Sequence, residues 1–425
     1  MTKTIVLNDE QQAIVDSDAK NIIVDAGAGS GKTRTLTERV RKILKSGTNP
    51  KSVVVITFTN RAANELHRRL SNVKGISDCF IGTIHSYATR LLRKTGYQFE
   101  IYSELYQNEF MRVLLQKYGH YATESDYNEF VKYDRLVSLG KMSEREVASK
   151  FSDYRVYHEI VSLLGREQDF KYPVTVLTMC KESNILTFDE LITLSTEYFT
   201  QSNIKLKYLF VDELQDIGVD EYKFLMTLNA ENNFFIGDDY QAIYGFKGGD
   251  VRIFLSLMNS SDWKTYYLGR NYRTAKSVLM YANSIIQKAS DIIKKSVEYG
   301  NPSMGKLEFV SKQGLDDFLK NIKPDDDWFI LTRTNKEMNQ VCAILSKNGI
   351  DHYSFKQSQI QEDKIDEIMS RKCIRVLTIH SAKGLECENV ALYGRFPVKG
   401  TGDSDELKVY YVGLTRTINR CVVFV

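Results

Sequence analysis

Short, largely apolar runs alternate along the chain with longer stretches in which apolar residues recur at helical spacing. Val53–Thr57, Tyr208–Val211, Asn233–Ile236, Trp328–Leu331, Ile374–Thr378 and Val390–Tyr393 are such runs. A strand covered on both faces needs this pattern, because its odd and even side chains both meet core. Ile22-Ile23-Val24 is a further run, and Cys421-Val422-Val423-Phe424-Val425 ends the chain as an apparent strand. Helix-like segments lie between most of them, as in the spacing of Leu36, Val40 and Ile43. The alternation predicts an α/β fold with parallel sheets. Between Lys94 and Asn184 the pattern changes: no comparable run occurs, and Tyr, Leu, Glu and Lys recur at helical spacing. That stretch predicts an all-helical insertion.

Composition narrows the picture. A chain of 425 residues exceeds one ordinary core, so two or more domains are expected. The hydrophobic share of 43% and charged share of 26% are those of a soluble globular protein. A formal net charge of +3 neither demands nor excludes a nucleic-acid partner, so local patches must decide. The six cysteines are scattered without a C-x-x-C pair. This argues against zinc, an iron–sulfur cluster or a disulfide framework and for a reducing cytoplasm. No apolar run reaches the length of a membrane span. The stretch Met1–Asp9 turns polar too soon for a signal peptide.

The most specific chemistry lies at Ala26-Gly27-Ala28-Gly29-Ser30-Gly31-Lys32-Thr33, between an apolar run and a helical pattern. Strand, glycine loop and helix in this order form a phosphate-binding loop. Glycines let backbone N–H groups approach phosphate oxygens, and the helix N-terminus adds partial positive charge. Lys32 would reach the β- and γ-phosphates of ATP, and the Thr33 hydroxyl would help hold Mg²⁺. The pattern departs from the usual one in having Ala26 in place of the first glycine. A second signal is Tyr208-Leu209-Phe210-Val211-Asp212-Glu213, an apolar strand ending in paired carboxylates. In such an ATPase Asp212 would hold Mg²⁺ and Glu213 would activate the attacking water.

The next motif, Gly237-Asp238-Asp239-Tyr240-Gln241-Ala242-Ile243-Tyr244-Gly245-Phe246-Lys247, brings the sequence close to a known family. With Leu7–Gln11, Phe58–Ala63, Gly82–His85, Asn271–Thr274, Val376–Glu386 and Tyr411–Arg416, it resembles the UvrD/Rep/PcrA-like helicases of superfamily 1A in nearly every motif, in order. The resemblance implies an ATP-dependent helicase acting on single-stranded DNA or a partial duplex, with 3′→5′ polarity. It also implies residue roles. Arg273 and Arg416 would reach the triphosphate from a second lobe, Gln241 would sense the γ-phosphate or water, and Gln11 would read adenine with Tyr272 stacked on its face. Glu386 would touch the ribose, and Arg34 would lie near sugar or base. Phe58, Asn60, Thr83, His85, Tyr244, Phe246, Lys247, Asn335, Thr378 and His380 match positions that line the strand.

The residues alone leave alternatives open. Phe58 and Phe246 also suit core packing, and His85 and His380 also suit structural roles. The basic residues within Arg61–Arg93 also suit a solvated helix face. The relatives usually carry Trp-Arg where this chain has Phe246-Lys247. Phe offers less stacking area, and Lys lacks the planar fork of Arg.

The expected architecture is two RecA-like P-loop motor domains with parallel sheets and one all-helical insertion. The first motor domain spans 1–93 and 186–264, the insertion 94–185, and the second motor domain 265–425. Relatives carry a second insertion before Val376–Glu386. Here the corresponding interval is reduced to about 356–372, and no appended domain is expected after Arg416. This shortening motivates a rival reading, in which the chain is an ATPase subunit regulating a partner such as a nuclease or a replication or repair factor. A small P-loop kinase would leave the second-lobe motifs unexplained.

Overall fold

The computed structural model describes residues 6–101, 185–200, 204–354 and 367–425. Two six-stranded sheets carry these residues, and all neighbouring strands in both are parallel. The first runs, in spatial order, Phe80–Thr83, Val53–Thr57, Tyr208–Val211, Asn232–Gly237, Asn21–Ala26 and Lys264–Leu268. The second runs Lys306–Val310, Thr417–Phe424, Cys387–Tyr393, Trp328–Thr332, Ile374–Thr378 and Tyr353–Ser354. The α/β reading and its parallel sheets are therefore present.

The continuous apolar runs are explained by cover on both faces. Ile22, Val24 and Ala26 join the core that holds Leu36 and Val40 of the helix Lys32–Lys45, while Ile23 joins the opposite core with Phe254 and Leu257. In the second sheet Phe329 and Leu331 face one core and Trp328 and Ile330 the other. Each residue is fully or almost fully buried. Truncating one such side chain, Leu36→Ala for instance, costs roughly 2–5 kcal/mol.

Two details differ from the sequence expectation. The strand Lys264–Leu268 pairs with Asn21–Ala26, so the first lobe runs past the expected boundary at 264. The two ends of the insertion are not helical, because Glu100–Ile101 and Ile185–Leu186 pair as a short parallel ladder that brings its entry and exit together. The rest of the expected helical insertion, 102–184, lies outside the described residues. So does most of the shortened interval at 356–372.

The lobes share an apolar seam. Ala28, Tyr240, Ile243 and Tyr244 of the first lobe belong to the same core as Val278, Ile379 and Tyr411 of the second. The helix Ser404–Leu414 is buried at every position from Leu407 to Leu414, as expected for a segment enclosed on all sides. It packs against the second sheet and against the turn Asp239–Gln241, which carries Arg416 to the seam.

Candidate active site at the seam between the lobes

Strand Asn21–Ala26 delivers the phosphate loop, and the helix Lys32–Lys45 leaves it. Gly29 and Gly31 have φ of 65° and 87°, a region L side chains rarely adopt. Close approach adds a second demand. A Cβ on Gly29 would lie 2.7 Å from Cβ of Arg273, and one on Gly31 2.5 Å from Nε2 of Gln11. No side chain caps the first turn of this helix, so its N–H groups suit an anion. The buried Ser30 hydroxyl lacks a partner among the described residues. Loop, uncapped helix and orphan hydroxyl fit a nucleotide's phosphates.

The paired carboxylates follow strand Tyr208–Val211. Lys32 Nζ lies 2.6 Å from Oε1 of Glu213 and 3.9 Å from Oδ1 of Asp212. Glu213 adopts φ 55°, a strained conformation for a non-glycine residue, and Gln215 Nε2 donates to its Oε2 at 2.6 Å. Burial pushes the Glu213 carboxyl up, but Lys32 and Lys383 outweigh it and hold the pKa at about 2. Burial raises Asp212 despite the nearby Lys32. Burial also opposes the Lys32 charge, but Glu213 and Asp212 keep its pKa above the ordinary lysine value. Thr33 and Asp212 supply hard oxygen donors beside the loop. So small a donor set suits Mg²⁺, which keeps water and substrate phosphate among its ligands.

The second lobe meets this loop directly. Asn271 Nδ2 donates to the Ala28 carbonyl at 2.5 Å, and Tyr272 N to the Gly29 carbonyl at 2.9 Å. Arg273 Nε donates to Oε2 of the half-exposed Glu386 at 2.5 Å. Arg416, 1% exposed, donates through Nη2 to Gln241 Oε1 at 2.9 Å and through Nη1 to the Leu385 carbonyl. Burial, reinforced by Arg273, lowers its pKa to about 9. Gln241 Nε2 donates in turn to Asp238 Oδ2 at 2.6 Å. Lys32, Glu213, Gln241, Arg273 and Arg416 are thus gathered around one seam.

At the edge of the loop Gln11 Nε2 donates to the Ser30 carbonyl at 3.0 Å, and the Asn8–Gln11 capping box fixes the start of helix Asp9–Asp16. Asn8 Nδ2 donates to the hydroxyl of Tyr272, whose ring is 43% exposed. Arg34 Nη2 donates to the Val6 carbonyl.

A cleft of about 450 Å³ runs from Asp212 and Asp216 to Phe58, Thr83, His85 and Lys247. Phe58 stacks on Tyr244 with centroids 4.9 Å apart, and Phe246 meets His380 edge-on at 5.2 Å. Tyr244 is 6% exposed. Phe58 stacks on its ring, Lys247 and Lys383 lie over it, and its hydroxyl donates to the His380 carbonyl. Tyr244 nevertheless lines the cleft beside Phe58 and Lys247. His85 lies against Phe188. Burial, with Arg333, Lys247 and Lys383 nearby, pulls the His380 pKa down to about 4.

The two lobes repeat one device. Thr59 and Thr83 cap the helices Asn60–Leu70 and Ile84–Lys94, and Thr334 and Thr378 cap Asn335–Lys347 and Ile379–Ala382. Asn60 and Asn335 are thus equivalent first residues of helices, each following a buried strand. Thr57 and Thr332 donate to the Thr59 and Thr334 carbonyls in the same way.

Some participants carried no assigned role at the sequence level. Lys383 donates to Asp216 Oδ2 at 2.5 Å and to the Gln241 carbonyl at 2.7 Å. Gln215 joins Glu213 to the backbone N–H of Asp238. Lys383 sits inside the motif Val376–Glu386 and Gln215 lies two residues past the paired carboxylates, which was the available signal. Among the described residues no helix is long and apolar enough to cross a membrane.

Comparison with known proteins gives a consistent picture. Residues 7–262 match the UvrD/REP helicase N-terminal domain and residues 354–423 the UvrD-like helicase C-terminal domain. A probable DNA helicase of Mycoplasma pneumoniae is 30% identical, over 96% of this chain and 81% of that protein. The ATP-dependent DNA helicase Rep of Buchnera aphidicola is 26% identical, over 86% of this chain and 59% of its own length. The ATP-dependent DNA helicase PcrA of Staphylococcus aureus is 24% identical, over 97% of this chain and likewise 59% of its own length.

Proposed function

The chain belongs to the UvrD/REP helicase family, and from that premise we propose that it hydrolyses ATP between its lobes and uses the cycle to move 3′→5′ along single-stranded DNA and open partial duplexes. The observation that carries this reading is the second lobe's grip on the first. Arg416 donates to Gln241, while Asn271 and Tyr272 bond the phosphate loop itself.

The loop and Lys32 bind the phosphates. Glu213, kept ionised by its lysines, orients the attacking water and takes its proton. Gln241, bonded to Asp238 and Arg416, senses the γ-phosphate or the water. Arg273 and Arg416 neutralise charge that builds on the γ-phosphate, a contribution worth roughly 10³–10⁵ in rate for such arginines. Thr33 and Asp212 would hold Mg²⁺, which supplies further charge neutralisation at the phosphates. Gln11, Tyr272 and Arg34 form the nucleoside side, with Glu386 supporting Arg273 and facing the ribose. Phe246 offers a stacking face to bases, and Lys247 with the capped helix ends at Asn60, Thr83, Asn335 and Thr378 meets backbone phosphates. Phe58, His85 and His380 form the wall of that track.

The reading is tested by ATP hydrolysis with single-stranded DNA, RNA, and duplexes carrying 3′ or 5′ tails. Single-stranded DNA is expected to stimulate turnover, and strands are expected to separate from 3′-tailed duplexes. Lys32→Ala and Glu213→Gln are expected to abolish stimulated hydrolysis. Undiminished turnover by folded Glu213→Gln protein would falsify its role as base, and preference for 5′ tails would reverse the polarity. The shortened interval between Ser354 and Ile374 supports a second reading, regulation of a partner without autonomous unwinding. Stimulated hydrolysis with no strand separation until a partner protein is added would favour it.

A further inference from the structure

Beside the nucleotide site lies a buried charge cluster that the mechanism above leaves unused. Asp25, in the strand that enters the phosphate loop, and Asp238 and Asp239, after strand Asn232–Gly237, are all 0% exposed. Their carboxylates converge to within 4.8 Å of one another. The cation among them comes from elsewhere in the chain. Lys295 lies between helix Lys276–Ile286 and strand Lys306–Val310 of the second lobe. Its Nζ donates to Asp239 Oδ1 at 2.7 Å, to Asp238 Oδ1 at 2.8 Å and to Asp25. The ammonium also lies 4.1 Å from the Tyr240 ring centroid.

The same segment is anchored by its backbone. Ile293 N donates to Asp239 Oδ2 at 2.5 Å, and Lys295 N donates to the Tyr240 hydroxyl at 3.1 Å. Three carboxylates gathered in a dry site need a cation, since unpaired buried charge is very costly. What distinguishes this cluster is where its bonds lead. Asp238 divides its oxygens: Oδ1 accepts from Lys295, and Oδ2 accepts from Gln241, which in turn accepts from Arg416. The backbone N–H of Asp238 bonds Gln215, which bonds Glu213.

We infer that Lys295 is a positioning residue for ATP hydrolysis, fixing Asp238 so that Gln241 is held between Arg416 and the reacting phosphate. This rests on the ATPase reading given above. Lys295 touches neither substrate nor reacting atoms in this scheme and acts through Asp238. Its loss should therefore slow turnover without greatly weakening nucleotide binding, which depends on the loop itself.

The test is single-stranded-DNA-stimulated ATP hydrolysis by the full chain. Lys295→Gln is expected to lower kcat by about tenfold or more while KM for ATP moves by less than about threefold. In a Gln241→Ala background the same substitution should cost at most about twofold further, because the pathway is already cut. Multiplicative losses in the two backgrounds would overturn the inference. So would reduced stability with normal kcat per folded molecule. Should Lys295→Gln fail to fold, Lys295→Gln with Asp25→Asn preserves the formal charge of the cluster and takes the same measurements. Absence of stimulated hydrolysis in the unsubstituted protein would instead sink the ATPase reading. Normal activity in that protein and an unaffected variant would sink only the role of Lys295.

Discussion

Phe246 is 38% exposed beside a Tyr244 that is 6% exposed, and this difference assigns the two rings different work. The Phe246 ring has the more open face to give to a base. Phe246→Ala should weaken single-stranded DNA binding by roughly 1–3 kcal/mol, the usual worth of one base–aromatic stack. Basal hydrolysis should survive. Titration of labelled oligonucleotide by the variant checks this, and unchanged affinity and stepping would remove Phe246 from the track. His380 makes a prediction in pH. Its folded pKa is pulled to about 4 by burial and by Arg333, Lys247 and Lys383, against 6.5 ordinarily. Between these values the unfolded chain binds a proton that the folded chain refuses, so stability is full above pH 6.5 and falls as pH drops toward 4. Melting temperatures at pH 7.5 and 5.5 should therefore fall further for the unsubstituted protein than for His380→Asn, by about 2–4 °C per kcal/mol involved. Equal falls in both proteins would show that His380 is protonated freely in the fold.

The helices that face the cleft owe their starts to single threonines. Thr334 accepts from Glu337 N while Glu337 accepts from the Thr334 N–H, a reciprocal cap. Thr334→Ala should cost about 1 kcal/mol in denaturant unfolding, and no loss would mean another group satisfies those N–H donors. The central strands were legible because each is buried on both faces and reads as a continuous run; Val53–Thr57 and Ile374–Thr378 end where the sequence placed them. The strands of the two six-stranded sheets that were not foreseen, Phe80–Thr83, Lys264–Leu268 and Lys306–Val310, are all at sheet edges. Lys264–Leu268 buries only Leu268, and Lys306–Val310 buries no residue fully. An edge strand can remain polar on several positions, and the apolar run that announces a strand then disappears. The motifs were legible for the opposite reason, since phosphate chemistry fixes residue types at fixed local spacing. Lys295 had no such signal, because its partners lie 56, 57 and 270 residues away.

At the scale of the molecule, the closed seam depends on the smallness of one residue. Gly29 has φ 65°, and a Cβ there would lie 2.7 Å from Cβ of Arg273 and 3.1 Å from Nδ2 of Asn271. The added methyl would strain the loop backbone and push away the second-lobe segment whose Tyr272 N–H bonds the Gly29 carbonyl. Domain closure, rather than the folding of either lobe, should bear this cost, because each sheet has its own cores. Gly29→Ala is therefore expected to keep the melting temperature within a few degrees while lowering kcat for stimulated ATP hydrolysis by about tenfold or more, since arginines that cannot dock cannot neutralise charge in the transition state. A distance probe between the lobes should report less closure on adding a non-hydrolysable ATP analogue. If the variant closes and turns over normally, the contact between Asn271–Arg273 and the phosphate loop is incidental to catalysis, and coupling between the lobes must run through the other bonds across the seam, Arg416 to Gln241 and Lys383 to Asp216 among them.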